Sequence, residues 1–151
     1  MEKSYFKSPV GILEIICKND ELISLKLTDN AIQRTTETDF IREIKCQLGE
    51  YFSGKRQNFD IKTNPKGTAF QKLVWKELQK ITYGQTVSYS DIAEKIGREN
   101  AQRAVGSACN KNPVMIIIPC HRVISKKGDS GGFAYGNNIK QKLIGIEKEN
   151  C

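Results

Sequence analysis

Apolar residues follow two rhythms along this chain: short runs broken by turn residues up to about residue 28, and helical spacings after that. Lys3 to Lys7 and Gly11 to Lys18, the latter rich in β-branched residues, read as strands joined at Ser8-Pro9-Val10. Asn19-Asp20 then turns the chain into a third strand, Leu22 to Thr28, which gives an antiparallel meander. From Asp39 to Ser53 the residues Phe40, Ile41, Ile44, Leu48, Tyr51 and Phe52 recur at helical spacing and Gly54 ends the run. One helix is therefore expected to cover one face of the sheet.

Asn58 to Gly67, containing Asn64-Pro65-Lys66-Gly67, punctuates the chain. It divides an N-terminal lobe, 1–60, from a C-terminal part, 68–151, with the linker at 61–67. Thr68 to Lys80 reads as a helix with Phe70, Leu73, Val74 and Leu78 inward and Trp75 in the core, stopped before Tyr83-Gly84. Ser88 followed by Asp91 is a capping-box variant opening a helix from Tyr89 to Ile96, and Ala93 with Gly97 four residues later suits a helix-turn-helix. Many helical pairs share that spacing and never touch DNA.

The next helix, Ala101 to Asn110, is thin, because Ala101, Ala104, Gly106, Ser107 and Ala108 fill five of the eight positions 101 to 108. Ala101, Ala104, Val105 and Ala108 form one face, and Arg103, Gly106, Ser107 and Asn110 the other. Such a helix could enter a minor groove ~6 Å wide and push Arg103 toward the base stack. It could equally pack closely on its partner and leave Arg103 solvated. Asn112-Pro113 then leads into an apolar run, Val114 to Ile118, read as a short buried strand, after which Pro119 presents Cys120 at the strand's end. Ile139 to Glu149, with Leu143, Ile144 and Ile146, is expected to be the closing helix.

Composition narrows the classes. The 151 residues suffice for a real core without staples. Residues 1–64 carry ten cationic and ten acidic side chains and residues 65–151 fourteen and seven, so the whole excess of +7 lies in the second part. A polyanion such as DNA is one reading of that asymmetry, and a solvated lysine-rich surface is the other. No stretch approaches a membrane span, and Glu2, Lys3 and Lys7 interrupt any signal-peptide core, so an intracellular protein is expected. Cys17, Cys46, Cys109, Cys120 and Cys151 are odd in number and form no CxxC pair, which argues against a disulfide framework or a structural zinc site. Cys17 and Cys46 are assigned to the core.

Chemistry concentrates at Cys120-His121, where the single histidine follows a cysteine. An unperturbed thiol with pKa ~8.5 is only a few per cent thiolate at neutral pH, and an imidazole is one way to activate it.

Pro119-Cys120-His121-Arg122-Val123, the preceding Asn112-Pro113, Arg103-Ala104-Val105-Gly106 and Ser88-Tyr89 together resemble the O6-alkylguanine-DNA alkyltransferases, the methylated-DNA–protein-cysteine methyltransferases. The resemblance runs from about Gly67 to Glu149. It implies an α+β fold, with a small ribonuclease-H-like N-terminal lobe of antiparallel sheet plus helix and a mostly helical C-terminal helix-turn-helix lobe carrying the cysteine. It further implies a monomer that binds duplex DNA, flips O6-methylguanine out of the stack and takes the alkyl group irreversibly onto Cys120, once per molecule and without cofactor or metal. Activity on O4-methylthymine is a possible extension. The site would be cytoplasmic, or nuclear in a eukaryote.

By the same resemblance His121 acts through water as base for Cys120, Glu147 orients His121 and favours its charged form, and Asn112 braces the loop. Tyr89, the Cys120 carbonyl, the Val123 amide and Ser130 would read or support the guanine. Arg103 would fill the vacated stack, with Tyr89, Ser90, Arg98, Ala101, Gly106 and Lys126 along the DNA. Two positions depart from the family pattern: Asp129 stands where an aromatic residue often precedes Ser-Gly-Gly, and Gln102 where alanine is common. An alternative reading is an alkylated-DNA sensor without transfer, although such proteins lack the reactive cysteine. A Cys-His hydrolase would turn over repeatedly, and a transcription factor would show no lesion preference.

Overall fold

The computed structural model describes residues 1–30, 33–125 and 135–151. Strands β1 (Glu2–Ser8), β2 (Gly11–Lys18) and β3 (Glu21–Leu27) form the expected antiparallel meander in the order β1-β2-β3. Phe6 pairs with Leu13 and Leu13 with Leu27, and a bulge interrupts the register at Ile16/Cys17. Alternation along β2 buries Leu13, Ile15 and Cys17 on one face. Helix α1 (Asp39–Phe52) is capped by Thr38, whose side chain accepts from the Ile41 amide. It buries Ile41, Ile44, Leu48 and Tyr51 in the same core.

Cys46, expected in that core, is exposed, because it lies on the helix face opposite Ile44 and Leu48. Gln47 is buried instead, and its amide pairs with the backbone of Asp60 at 2.9 and 3.2 Å.

The segment after α1 runs along the free edge of β3, where Leu22 N–H donates to Lys62 O and Asn64 N–H to Leu22 O, both at 2.9 Å. Further along that edge Leu25 N–H donates to Pro113 O at 2.8 Å, and Met115 N–H to Leu25 O at 3.0 Å. The third strand is thus stitched both to residues 62–64 and to the residues leading into Cys120. One hydrophobic core runs from Val10 to Leu143.

Helix α2 (Ala69–Leu78) opens on a capping box between Thr68 and Gln71. Its buried side is Val74, Trp75 and Leu78, and the Trp75 indole N–H donates to Ala108 O at 2.8 Å. Leu73, expected inward, is 41% exposed: the bulk of Trp75 turns the buried stripe away from it. Strand β4 (Val87–Ser88) leads into α3 (Tyr89–Lys95) through the Ser88–Asp91 capping box. Helix α4 (Gln102–Asn110) follows, burying Val105, Ala108 and Cys109. Ala104, assigned to that face, is exposed at its margin.

The apolar run before Cys120 is not a strand. The Asn112 side chain accepts from Val114 N–H at 2.9 Å and donates to Ile118 O at 2.7 Å, closing the run into a loop. Only Val114 keeps a bridge, to Leu25, and Ile116 sits at φ +72, a conformation β-branched residues rarely adopt. Val114, Met115, Ile116 and Ile118 are buried by tucking under the core rather than by sheet pairing. A 3₁₀ turn, Cys120–Arg122, then enters β5 (Val123–Ile124), which pairs in parallel with β4, an element not expected from the sequence. Helix α5 (Asn137–Asn150) closes the chain. Among the described residues no helix is long and apolar enough to cross a membrane.

Candidate active site

The β4–β5 pair sets Val87 against Val123 and Ser88 against Ile124, so the residue that caps α3 lies beside the turn carrying Cys120. Cys120 opens that turn, with its N–H donating to Ile118 O at 2.8 Å, and is only 4% exposed. Burial pushes its thiol up from the ordinary value. A hydrogen bond from Asn112, the positive charge of Lys140 and the backbone amides of Cys120 and His121 all act in the opposite direction. Burial thus favours the neutral thiol, while groups that stabilise the thiolate are already in position.

His121 is fully buried, its Nε2 2.6 Å from Glu147 Oε2. Burial pulls its pKa down, Glu147 works against that, and the charges of Arg122 and Lys140 add to it. Glu147 thus favours the charged ring, while burial and the two neighbouring cations favour the neutral one and prevail. With a carboxylate facing Nε2, the proton of the neutral ring sits on Nε2 and Nδ1 presents a lone pair. That Nδ1 is buried and has no hydrogen-bond partner among the described residues.

Glu147, on α5, is itself the hub of the site. Its Oε2 accepts from Tyr51 Oη at 2.7 Å, from His121 Nε2 and from Arg122 Nη2 at 3.1 Å. Its Oε1 accepts from Arg122 Nε at 2.8 Å and from Gly84 N–H at 3.1 Å. Burial disfavours the charge, but the hydrogen bonds from His121 and Arg122 and the Arg122 cation, joined by His121 when it is protonated, outweigh it and hold the carboxyl far below its ordinary range. Arg122 also donates to Ile81 O at 2.7 Å, and its guanidinium lies 5.6 Å from the Tyr83 ring centre.

Tyr51, Gly84, Arg122 and Lys140 escaped the sequence reading as members of this cluster. For Lys140 a signal exists: Lys140, Leu143, Ile144 and Glu147 follow at helical spacing, so an interior cation was legible on the face that carries Glu147. Lys140 is fully buried and donates to Val123 O at 2.5 Å, with Tyr89 Oη 3.5 Å away. Through it the helix-turn-helix and the cysteine turn share one cation.

The remaining predicted residues divide into groups. Asn112 sits at the loop that delivers Cys120, as expected. Tyr89, Gln102, Arg103, Gly106 and Asn110 line an open groove of about 250 Å³, with Arg103 exposed. A Cβ on Gly106 would stand 3.9 Å from the Tyr89 ring, so its lack of side chain keeps that wall thin. Ser90 and Ala101 are partly buried nearby in sequence, and exposed Arg98 stacks its guanidinium 5.6 Å from the Phe70 ring centre. The Val123 N–H donates to Cys120 O within the turn, so the two groups assigned to the guanine edge face each other here. Ser130, Lys126 and Asp129 lie outside the described residues. Among the described residues no three His, Cys, Asp or Glu side chains gather as a metal set.

Two family models match the chain. Residues 1–65 fit the ribonuclease-like domain of 6-O-methylguanine DNA methyltransferase, and residues 69–149 its DNA binding domain. A methylated-DNA–protein-cysteine methyltransferase of Methanosarcina barkeri is 53% identical over 111 residues, covering 74% of this chain and 70% of its own. The crystal structure of the Mycobacterium tuberculosis O6-methylguanine methyltransferase superposes with a TM-score of 0.89 at 36% identity, over 99% of this chain and 94% of that one. The same organism's OGT in complex with DNA gives 0.87 at 38% identity, over 97% and 94%.

Proposed function

The chain belongs to the 6-O-methylguanine DNA methyltransferase family and repairs DNA directly by alkyl transfer to a cysteine, and from that premise we propose that Cys120 is the acceptor. The observation that carries the assignment is the buried set Cys120, His121 and Glu147, in which His121 has one nitrogen committed to Glu147 and the other without a partner among the described residues. In this reading a water passes the Cys120 proton to His121 Nδ1. The thiolate attacks the alkyl carbon of O6-methylguanine, the carbon–sulfur bond forms, and the carbon–O6 bond breaks with its electron pair going to the base. The thiol proton ends on the guanine ring, leaving a neutral base and a thioether.

Asn112, the Cys120 and His121 amides and Lys140 lower the cost of the thiolate, while burial keeps the thiol inert until a base arrives. Tyr89, at the first position of α3 and within reach of Lys140, is suited to donate toward the base as charge develops. A reading of the guanine edge by Cys120 O and Val123 N–H requires their mutual hydrogen bond to open, with Ser130 as the further donor. Arg103 with Ser90, Arg98, Ala101, Gly106 and Lys126 form the DNA-facing set, in a C-terminal domain of 68–151 joined by the 61–67 linker to the lobe 1–60. Five unpaired thiols fit a cytoplasmic setting.

The substitution Cys120→Ser tests the acceptor. It should abolish transfer from an O6-methylguanine duplex while leaving duplex binding in place; retained transfer would move the nucleophile to another residue.

A further inference from the structure

Glu147 stands between two lobes. His121 and Arg122 reach it from the cysteine turn, Gly84 N–H from the segment before β4, and Tyr51 from α1, 96 residues away in sequence. A buried tyrosine hydroxyl ordinarily finds some acceptor, so the existence of a partner says little. The choice of atom says more: Tyr51 Oη donates at 2.7 Å to Oε2, the same oxygen that faces His121 Nε2 at 2.6 Å. Burial and the neighbouring Glu147 charge push the Tyr51 hydroxyl far up, so it is a permanent donor.

Resting on the reading that His121 is the base for Cys120, we infer that Tyr51 is a positioning residue of the alkyl-transfer relay. Its hydroxyl holds Glu147 by Oε2 and thereby governs how readily His121 takes the proton. The N-terminal lobe then contributes to the chemistry and is more than a support for the DNA-binding part.

The physics is a competition for one oxygen. Each donor on Oε2 disperses carboxylate charge that would otherwise stabilise the imidazolium. The groups facing this pair are Arg122 and His121 from the turn, Tyr83 from the segment after α2, Lys140 from α5 and Tyr51 from α1. Apart from the His121 ring itself, Tyr51 is the one neutral side-chain donor on the shared oxygen among the described residues. Tyr51→Phe removes that donor and nothing else of size, leaving Glu147 more negative toward His121. The imidazolium gains, the His121 pKa rises, and transfer loses its neutral base at a higher pH. The acid limb of the rate profile should move up by about half a pH unit or more, about threefold slower transfer on that limb.

The chain has a single histidine, so its ring titration can be followed by NMR without assignment ambiguity. Wild type, Tyr51→Phe and Tyr83→Phe would be compared in single-turnover methyl transfer from an O6-methylguanine duplex across pH and in His121 titration. Tyr83 serves as control because its hydroxyl has no hydrogen-bond partner among the described residues. The inference expects both the acid limb and the His121 midpoint to move up in Tyr51→Phe and to stay in place in Tyr83→Phe. A Tyr51→Phe rate lowered by one factor at every pH, with the His121 midpoint unmoved, would reduce Tyr51 to a structural contact and overturn it. If Tyr51→Phe does not fold, the wild-type hydroxyl proton of Tyr51 decides: it should shift through the His121 titration, and a signal indifferent to that titration refutes the coupling. A wild-type chain that takes no methyl group would sink the underlying reading, an outcome the titration separates from failure of the coupling.

Discussion

Replacing Arg122 by methionine is the sharpest perturbation of the buried charge cluster. It keeps an unbranched apolar stem and removes three hydrogen bonds: two to Glu147 at 2.8 and 3.1 Å and one to Ile81 O at 2.7 Å. Arg122 is 7% exposed and Glu147 1%, so solvent cannot take over the lost partners. Removing one member of a buried ion pair costs about 3–5 kcal/mol. The donors left to Glu147 on Tyr51, His121 and Gly84 hold the loss near the lower end, and the freed Ile81 carbonyl adds about 1 kcal/mol. A total of about 4 kcal/mol corresponds to a fall in Tm of about 8–16 °C for a chain of this size.

The informative comparison is a cycle with Glu147→Gln, which strands Arg122 instead. In urea melts at pH 7 each single variant should be strongly destabilised, and Arg122→Met/Glu147→Gln should lose clearly less than the two together, by about 2 kcal/mol. The reason is that neither charge is left alone in the double variant. Losses that add to within about 0.5 kcal/mol, or an Arg122→Met cost below about 1 kcal/mol, would show that the two charges do not compensate one another and would refute the argument.

Acid should weaken the fold in two steps of the same sign. His121, held below its ordinary 6.5, resists protonation in the folded state, so its contribution is present above that pH and is lost as pH falls toward the folded value. Glu147, held below its ordinary 4.5, contributes above that value and loses its contribution as pH falls further. Urea midpoints measured across pH 7 to 3 should decline throughout, with the lower step missing in Glu147→Gln; an unchanged lower step would assign it to other carboxylates. Asn112→Ala should cost about 2–4 kcal/mol by stranding the Val114 amide and Ile118 carbonyl. It should also shift thiol alkylation of Cys120 to higher pH, because a thiolate donor is lost; an unshifted alkylation profile would remove Asn112 from the nucleophile's support.

Legibility in the sequence tracked the range of the interactions. The meander, the Ser88–Asp91 capping box and the extent of α1 rest on contacts within a few residues, and those patterns appear in order along the chain. The Cys120-His121 dipeptide was visible for the same reason, and Glu147 entered only through the family resemblance. Tyr51 and Gly84 were invisible as partners of Glu147 because nothing local encodes a hydrogen bond spanning 96 or 63 residues. The run from Val114 to Ile118 misled because apolar content reports burial, not pairing, and it was the Asn112 side chain that chose a loop over a strand. Leu73, Cys46 and Ala104 were misplaced by phase: Cys46 lies opposite the stripe of Ile41, Ile44 and Leu48, the α2 stripe centres on Val74, Trp75 and Leu78, and the α4 stripe on Val105, Ala108 and Cys109.

The central claim is that one alkyl group moves from the base to Cys120 and stays there. Incubating the chain with one equivalent of duplex carrying O6-methylguanine, then weighing the intact protein and its peptides, tests it directly. A single methyl group on the peptide containing Cys120, with no further uptake on adding more duplex, is the predicted result. A methyl group on Cys109 or another residue, or an unmodified protein that still binds the duplex, would contradict it.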